Sequence, residues 1–503
     1  MAYSRFFTEA VSTPGLVARK RPPFFQHRSV AAGLLSFARA ADRPTTFFVL
    51  LSLFCGVVIC FVVPPLRGPD EIAHFLRIHS YAQGHLIPPA SVADRKGIFV
   101  DHDLYRDLAF FKAAGEWFAQ SRQDGLRYGQ IMQMHQQRSG TARGEIFKEA
   151  VFMPFAGSEG YSPAAYIPYI VGEKIAGWLR LEFPSRLILI RLIGLIAFTS
   201  VAAYAIRIVP FLKWQFVLVA LLPVSLYNRS VLSADGAALC TGLVVTALCC
   251  RAASQLGKGR VWERSCWVTV CALTKQPQIV FVAMELVTGP LTRLARWKQM
   301  ALVLVPSLLL SPLWVIAVSG EMGAWRLQIE EQHPPEHFDP IWKLWYMWDH
   351  PWHFPLATWK AISAWGDRLW WELIGIVGWQ DIVLPPWIYV VLTISLIVAS
   401  FQKLNLDGST RIRIAAVTAI VVLGYITLVY LIFFLTYTPL NVDHVRGVQG
   451  RYFVVILPSF AICLAALVNV NLRFSISTVV AAIGSILSGI ATADALVRAH
   501  WYS

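Results

Sequence analysis

From residue 46 onward the chain alternates between long apolar runs and short polar breaks. Runs of about 17–25 apolar residues are what a helix needs to cross a bilayer. They predict membrane helices over 46–63, 187–207, 213–231, 236–252, 262–275, 277–290, 299–318, 385–401, 412–436, 452–470 and 475–496. The first holds "TTFFVLLSLFCGVVICFVV", without a charge. The stretch 162–179, "SPAAYIPYIVGEKIAGWL", is apolar yet carries two prolines, a glutamate and a lysine, so its pattern leaves crossing open.

Charge settles the parity, because cytoplasmic loops carry the excess of Lys and Arg. Before the first span stand Arg5, Arg19, Lys20, Arg21, Arg28, Arg39 and Arg43 against Glu9 and Asp42, which places the N-terminus inside. If 162–179 lies along the outer surface, the loops 207–213, 251–264, 291–298 and 402–413 all face inward. They hold Arg207, Lys213, Arg251, Lys258, Arg260, Arg264, Arg293, Arg296, Lys298, Lys403, Arg411 and Arg413, with Glu263 and Asp407 as their acids. If it crosses, every one of them faces outward. The first arrangement is adopted: eleven spans, N-terminus inside and C-terminus outside, with two large outer segments at 64–186 and 319–384.

The expected organisation is a basic cytoplasmic segment over 1–45 and a transmembrane module over 46–318 that contains the first outer segment. A Trp-rich outer segment (319–384) and a second transmembrane module (385–503) follow. Eleven of the nineteen Trp fall between 320 and 388. Indoles favour the headgroup region, so this segment is read as interfacial helices, either an aromatic belt or an entrance for a lipid substrate.

Composition fixes the class. Apolar residues make up 56% of the chain and charged ones 15%, with a mean hydropathy of +0.54; soluble domains carry roughly 25% charged residues. The fold class is therefore an all-α polytopic membrane protein. The net charge of +14 reports loop topology and not nucleic-acid binding. All eight Cys lie in apolar runs, which argues against a disulfide framework or a zinc site. The first span is not read as a cleaved signal, since some 45 residues precede it and "VVPPLRG" offers no small-x-small site.

With this parity, polar residues flanking the spans collect at one surface. Asp70, Glu71 and His74 of "PPLRGPDEIAHFLRIHSYAQG" follow the first span. Asp235 of "SADG" opens the fourth, and Lys275 of "ALTKQPQ" ends the fifth. Arg446, Gln449 and Arg451 of "DHVRGVQGRYF" lead into the tenth, and Arg191 lies about one turn inside the second. Ionisable groups at membrane depth are costly and tend to be paired or functional. For each alone, interfacial snorkelling is an equal reading; the set together points to chemistry. A carboxylate beside an acceptor hydroxyl serves as general base, and Asp70 and Glu71 side by side can split roles. Lys275 and Arg451 suit a leaving group that gains negative charge, phosphate being the obvious one. His74 is read as a hydrogen-bonding histidine before a metal ligand, since E-x-x-H brings no further ligands with it. His79, His85, His102, His333, His337, His350 and His353 are read as solvated.

Together these blocks resemble the bacterial membrane-protein family known as domain of unknown function 2142. The opening "PPLRGPDEIAHFLRIHSYAQGHLIPP" carries its Pro-x-Asp-Glu-x-x-His pattern. "YSPAAYIP" with Tyr161, "SADG", "LTKQPQ", "IGIVGWQDIVLPPW" with Trp379 and Asp381, and "RGVQGRYFVVILPSF" resemble its later blocks, in order. The resemblance runs from about 46 to 470; the insert 95–150 has no counterpart in it. That family is similar to the polytopic GT-C glycosyltransferases. The resemblance implies a GT-C-like bundle of about eleven helices with outer-face juxtamembrane helices. It also implies inverting transfer of a sugar from a polyprenyl-phosphate donor to an envelope glycan, lipid or protein acceptor, on the outer face of a bacterial inner membrane.

The expected catalytic residues are thus Asp70, Glu71 and Asp235. Lys275, Arg451, Arg191 and Arg446 are expected at the donor phosphate, with His74, Tyr161, Gln449, Trp379 and Asp381 in support. A divalent cation is left open. The rivals are an O-antigen polymerase or ligase, which would lean on Arg and His of the large outer loop, and a lipid or solute transporter, which would place polar residues near mid-bilayer.

Overall fold

The computed structural model describes residues 42–92, 95–120, 127–141, 149–254, 260–289, 294–318, 339–470 and 474–501. The basic segment expected over 1–45, apart from its last residues, and the first part of the Trp-rich segment lie outside the described residues.

The first apolar run forms α1 (Arg43–Val62), and Pro64-Pro65 stop it because neither offers an amide hydrogen for another turn. A short loop leads into α2 (Glu71–Ala82). Next comes an antiparallel sheet in the order β1 (Ala90–Val92), β2 (Arg95–Val100), β3 (Val151–Pro154). Between β2 and β3 the chain forms α3 (His102–Gln120) and α4 (Tyr128–Thr141), so residues 90–154 add a small αβ element, while the other named elements among the described residues are helices. The ambiguous stretch becomes α5 (Ile167–Trp178). Its 12 residues reach about 18 Å, well short of the roughly 30 Å hydrocarbon layer.

The bundle continues with α6 (Phe183–Ile208), then α7 (Lys213–Ala220) and α8 (Pro223–Ser230), one apolar run broken where Pro223 interrupts the backbone ladder. α9 (Ala234–Ser254) is surrounded on all sides. Its sequence "AALCTGLVVTALCC" is rich in small side chains, which let neighbouring backbones come close in lipid; a Cβ at Gly242 would collide with Val455. α10 (Val261–Thr274) runs back, followed by a 3-10 stretch (Gln276–Thr288) and α11 (Leu294–Val318). The remaining helices are α12 (Pro340–Asp349), α13 (His353–Ile374), α14 (Pro386–Ser400), α15 (Gly408–Thr436), α16 (Leu457–Val468), preceded by a 3-10 turn (Gly450–Ile456), and α17 (Phe474–Trp501).

Seven helices among the described residues are long and apolar enough to cross a membrane: α1, α6, α9, α11, α15, α16 with its 3-10 turn, and α17. The other four expected spans correspond to shorter or broken elements, namely α7 with α8, α10, the 276–288 stretch and α14. The cysteines are unpaired.

The two ends of the bundle differ in chemistry. At one end the basic loops are tied together: Leu212 N–H donates to Gln402 Oε1 at 2.8 Å and Arg413 Nε to the Val287 carbonyl at 3.2 Å. Arg251 pairs with Glu263 at 2.9 Å, and buried Glu285 holds Arg264 at 2.8 Å and Arg296 at 3.0 Å. The other end carries α2, the sheet and the Trp-rich helices. There Lys96 donates to the Val318 carbonyl, Trp314 to Gly160 and Trp501 to Val62, at 2.8–3.1 Å. Lys343 of α12 is buried against the carbonyls of Phe434, Leu435 and Thr438 and so caps the C-terminus of α15. Trp345 and Trp348 of α12, Trp352 between the helices and Trp359 of α13 stay exposed.

Candidate functional site

Asp70 and Glu71 are neighbours in sequence with opposite surroundings. Glu71 is fully buried. Its carboxylate accepts from Arg191 Nε at 2.8 Å and Nη2 at 2.6 Å, from Gly68 N–H at 2.9 Å and from Leu232 N–H at 3.0 Å. Arg191 spends its remaining donors on the carbonyls of Cys60, Val63 and Pro64. All five guanidinium hydrogens are therefore engaged, and Arg191 has none to offer a donor phosphate. Expected at the chemistry and at the donor phosphate, the two side chains are placed as a pair that clamps the end of α1, the loop 64–70 and the start of α9.

Asp70 is the N-cap of α2 in the left-handed region, with φ 54°. Gly is the unstrained choice there, and Asp is among the few side chains that tolerate it. Its carboxylate does not cap the helix, although Asp is a favoured capping residue. Instead the side chain is 55% exposed and meets Arg451 Nη2 at 3.4 Å. A strained residue with an uncommitted carboxylate is what a functional site tends to hold.

Around Asp70 the remaining groups arrive from three elements. Asp235 stands in the first turn of α9, and Lys275, where α10 gives way to the 3-10 stretch, pairs with it. Arg451 Nε lies 3.6 Å from Asp235 Oδ2, beyond hydrogen-bond reach, and has no partner. Arg451 thus faces both acids loosely. Tyr452 and Tyr161 wall the cluster, their ring centroids 4.8 and 5.6 Å from Lys275 Nζ. A cavity of about 20 Å3 lies behind, lined by Asn228, Asp235, Lys275, Tyr425, Arg451 and Tyr452, with room for roughly one water.

His74 lies beneath Tyr161, its ring 5.6 Å away, and Nδ1 is 2.6 Å from the Tyr166 hydroxyl. Burial pushes its pKa down to about 4 against the nearby Asp70 and Asp235, so the ring is neutral at pH 7. Burial also raises the Tyr161 phenol above its ordinary range, and the charges of Asp235 and Asp70 add to this. His74 and Glu71 point to different partners and do not converge. Among the described residues no three His, Cys, Asp or Glu side chains gather as a metal-binding group.

Two expected residues sit next to this cluster and not in it. Arg446 and Gln449 line a separate cavity of about 360 Å3 beside α13. Asp381 pairs with Arg67 at 2.5 Å and accepts from the Trp379 N–H at 2.7 Å. That contact pins the turn around Val377–Ile382 to the loop that bears Asp70, while the Trp379 ring is exposed. His79, expected to be solvated, is instead bonded to Glu173 at 2.6 Å with Arg186 on the same carboxylate. Tyr452, Tyr425 and Asn228 were not singled out from sequence. Tyr452 directly follows Arg451, so a reading of aromatic neighbours of the cations would have found it; Asn228 gives no such signal.

The fold and this cluster define a multi-pass membrane protein with a charged, aromatic-walled site at one end of an apolar bundle. The family model for "Predicted membrane protein (DUF2142)" matches residues 53–460, and the chain belongs to that family. No curated protein and no solved structure matches it.

Proposed function

We propose that the chain is an inverting glycosyltransferase of GT-C type that uses a polyprenyl-phosphate sugar and acts on the outer face of a bacterial inner membrane. The observation that carries this reading is the juxtaposition of an exposed, non-capping Asp70 with Arg451, which also faces the Asp235–Lys275 pair. Asp70 takes the proton of an acceptor hydroxyl, and that oxygen attacks the anomeric carbon. The bond from that carbon to the phosphate oxygen breaks, and the prenyl phosphate leaves with the electron pair. Lys275 and Arg451 neutralise it; Asp235 orients both cations. Such preorganised charge is commonly the largest catalytic term.

The arrangement of the loops supports this reading, because the four basic loops share one end of the bundle and the cluster occupies the other. Reporter fusions in the 251–264 loop and between residues 85 and 89 are expected to report opposite sides.

The test of function works whatever the sugar is. Envelope glycans of cells lacking the chain are compared by mass spectrometry with those of cells carrying wild type or Asp70→Asn. A monosaccharide restored by wild type and not by the variant is expected. Restoration by Asp70→Asn removes this aspartate from the mechanism.

A further inference from the structure

The larger cavity is not part of the Asp70 cluster, yet it adjoins it. Its walls come from α13, α15 and the loop 444–449, and its volume is about 360 Å3, within the range of roughly 300–1,000 Å3 typical of small-ligand sites. Three features of the sequence build it. α13 kinks at Trp365, whose backbone is not helical (φ −130°, ψ 15°), so an indole stands at the bend. Gly447 takes φ +82° and turns the loop back. Gly450 lets the chain approach α13 so closely that a Cβ there would collide with the Leu369 carbonyl, and its N–H donates to Glu372 Oε2 at 2.8 Å.

The lining sorts the possible ligands. Trp365 offers an aromatic face, with His444 packed at 4.7 Å between centroids. Arg368 and Arg446 are donors. Glu372, which pairs with Arg368 at 3.0 Å, and Gln449 are acceptors, and Gln449 Oε1 is buried with no partner. The phosphodiester of a prenyl-phosphate sugar accepts hydrogen bonds only, and its negative charge would meet the Glu372 carboxylate unfavourably. A prenyl chain would leave the buried Gln449 Oε1 without a partner. A polyhydroxylated ring satisfies both kinds, since each hydroxyl donates and accepts, and its apolar face suits an indole.

We infer that this cavity is a saccharide subsite, which holds the acceptor glycan while one of its hydroxyls reaches Asp70. The inference rests on the proposed transfer for the word acceptor; the binding itself does not. Gln449 lines the cavity and Arg451 meets Asp70, and two residues of chain span at most about 7 Å. A glycan of two or more units is long enough to bridge the subsite and the acid.

The test is native mass spectrometry of the full chain in detergent with free di- to tetrasaccharides of hexose, N-acetylhexosamine and uronic acid. Wild type is expected to bind at least one of them, and Trp365→Ala to weaken it about tenfold or more, as loss of an aromatic contact does. Because Trp365 stands at a kink, Gln449→Ala is the second variant and is expected to act in the same direction. No binding at millimolar saccharide overturns the subsite, as does binding indifferent to both Trp365→Ala and Gln449→Ala. Inorganic phosphate or a prenyl-phosphate sugar, in place of the free glycan, showing the Trp365 dependence also overturns it and assigns the cavity to the donor. Trp365-dependent binding in a chain whose Asp70→Asn variant restores the glycan keeps the subsite and removes the transferase. A transferase with no saccharide binding does the reverse.

Discussion

Neutralising each member of the acidic doublet separates architecture from chemistry. Glu71→Gln keeps the shape and replaces one carboxylate oxygen by an amide NH2. Each Glu71 oxygen receives two donors, so the new NH2 faces two N–H groups wherever it points. At least one charge-assisted bond to Arg191 is lost, worth about 1.5–3 kcal/mol. Arg191, 1% exposed, then lies in the bundle without its counter-charge, and breaking a buried pair in this way costs about 3–5 kcal/mol. Asp70→Asn gives up one long contact at 3.4 Å from a side chain that is 55% exposed, worth about 1 kcal/mol or less. The assay is thermal unfolding of detergent-purified protein beside glycan restoration in cells. Glu71→Gln is expected to lower the midpoint sharply and reduce recovered protein, while Asp70→Asn melts close to wild type and restores no glycan. A Glu71→Gln protein of wild-type stability that restores nothing would place Glu71 in the reaction and refute the assignment made from its hydrogen bonds.

The other predictions concern His74, Gly450 and Arg451. Burial lowers the His74 pKa from 6.5 to about 4, so the unfolded chain binds the extra proton between these values. Its contribution to stability, about 3 kcal/mol, is present above pH 6.5 and lost as pH falls towards 4; His74→Gln should flatten that limb of a melting-point profile. Gly450→Ala forces Cβ into the Leu369 carbonyl, and displacement of Arg451 should cut transfer at least tenfold, read as residual restored glycan. Arg451→Lys keeps the charge and loses the planar fork that faces two acids. It should lower transfer more than membrane yield, and full activity would mean a point charge suffices.

Much of this was legible because membrane insertion writes itself into sequence. Apolar runs mark the helices, and basic loops mark which ends belong together. Asp70, Asp235, Lys275 and Arg451, scattered over 381 positions, could be grouped from parity alone, and the structure puts them in contact. What parity could not resolve is partner choice at one depth. Glu71 and Arg191 belong to the same end, yet they consume each other, and only the hydrogen-bond inventory separates a clamp from a catalyst. Arg446 and Gln449 show the same limit: they precede Arg451 by a few residues, but the turn at Gly447 sends them to another cavity. Length was the other blind spot. Four apolar runs gave short or broken elements, because interior packing and crossing lipid both demand apolar residues.

The charge inventory explains why two cations and two carboxylates serve the proposed reaction better than cations alone. Lys275 and Arg451 balance Asp70 and Asp235, and His74 is neutral, so the cluster carries no net charge before a substrate arrives. A donor phosphodiester brings one negative charge. During transfer Asp70 gains a proton, and the charge it gives up appears on the departing phosphate. The total does not change; the negative charge only moves. Arg451 is the group placed to follow that movement, because it touches Asp70 at 3.4 Å and keeps an unpartnered Nε beside Asp235. A cation bonded tightly to Asp70 would hold the charge where it starts and oppose proton transfer. One held loosely between two acids favours neither end of the reaction strongly, and in an apolar bundle, where each uncompensated charge is costly, that keeps the barrier for the shift low.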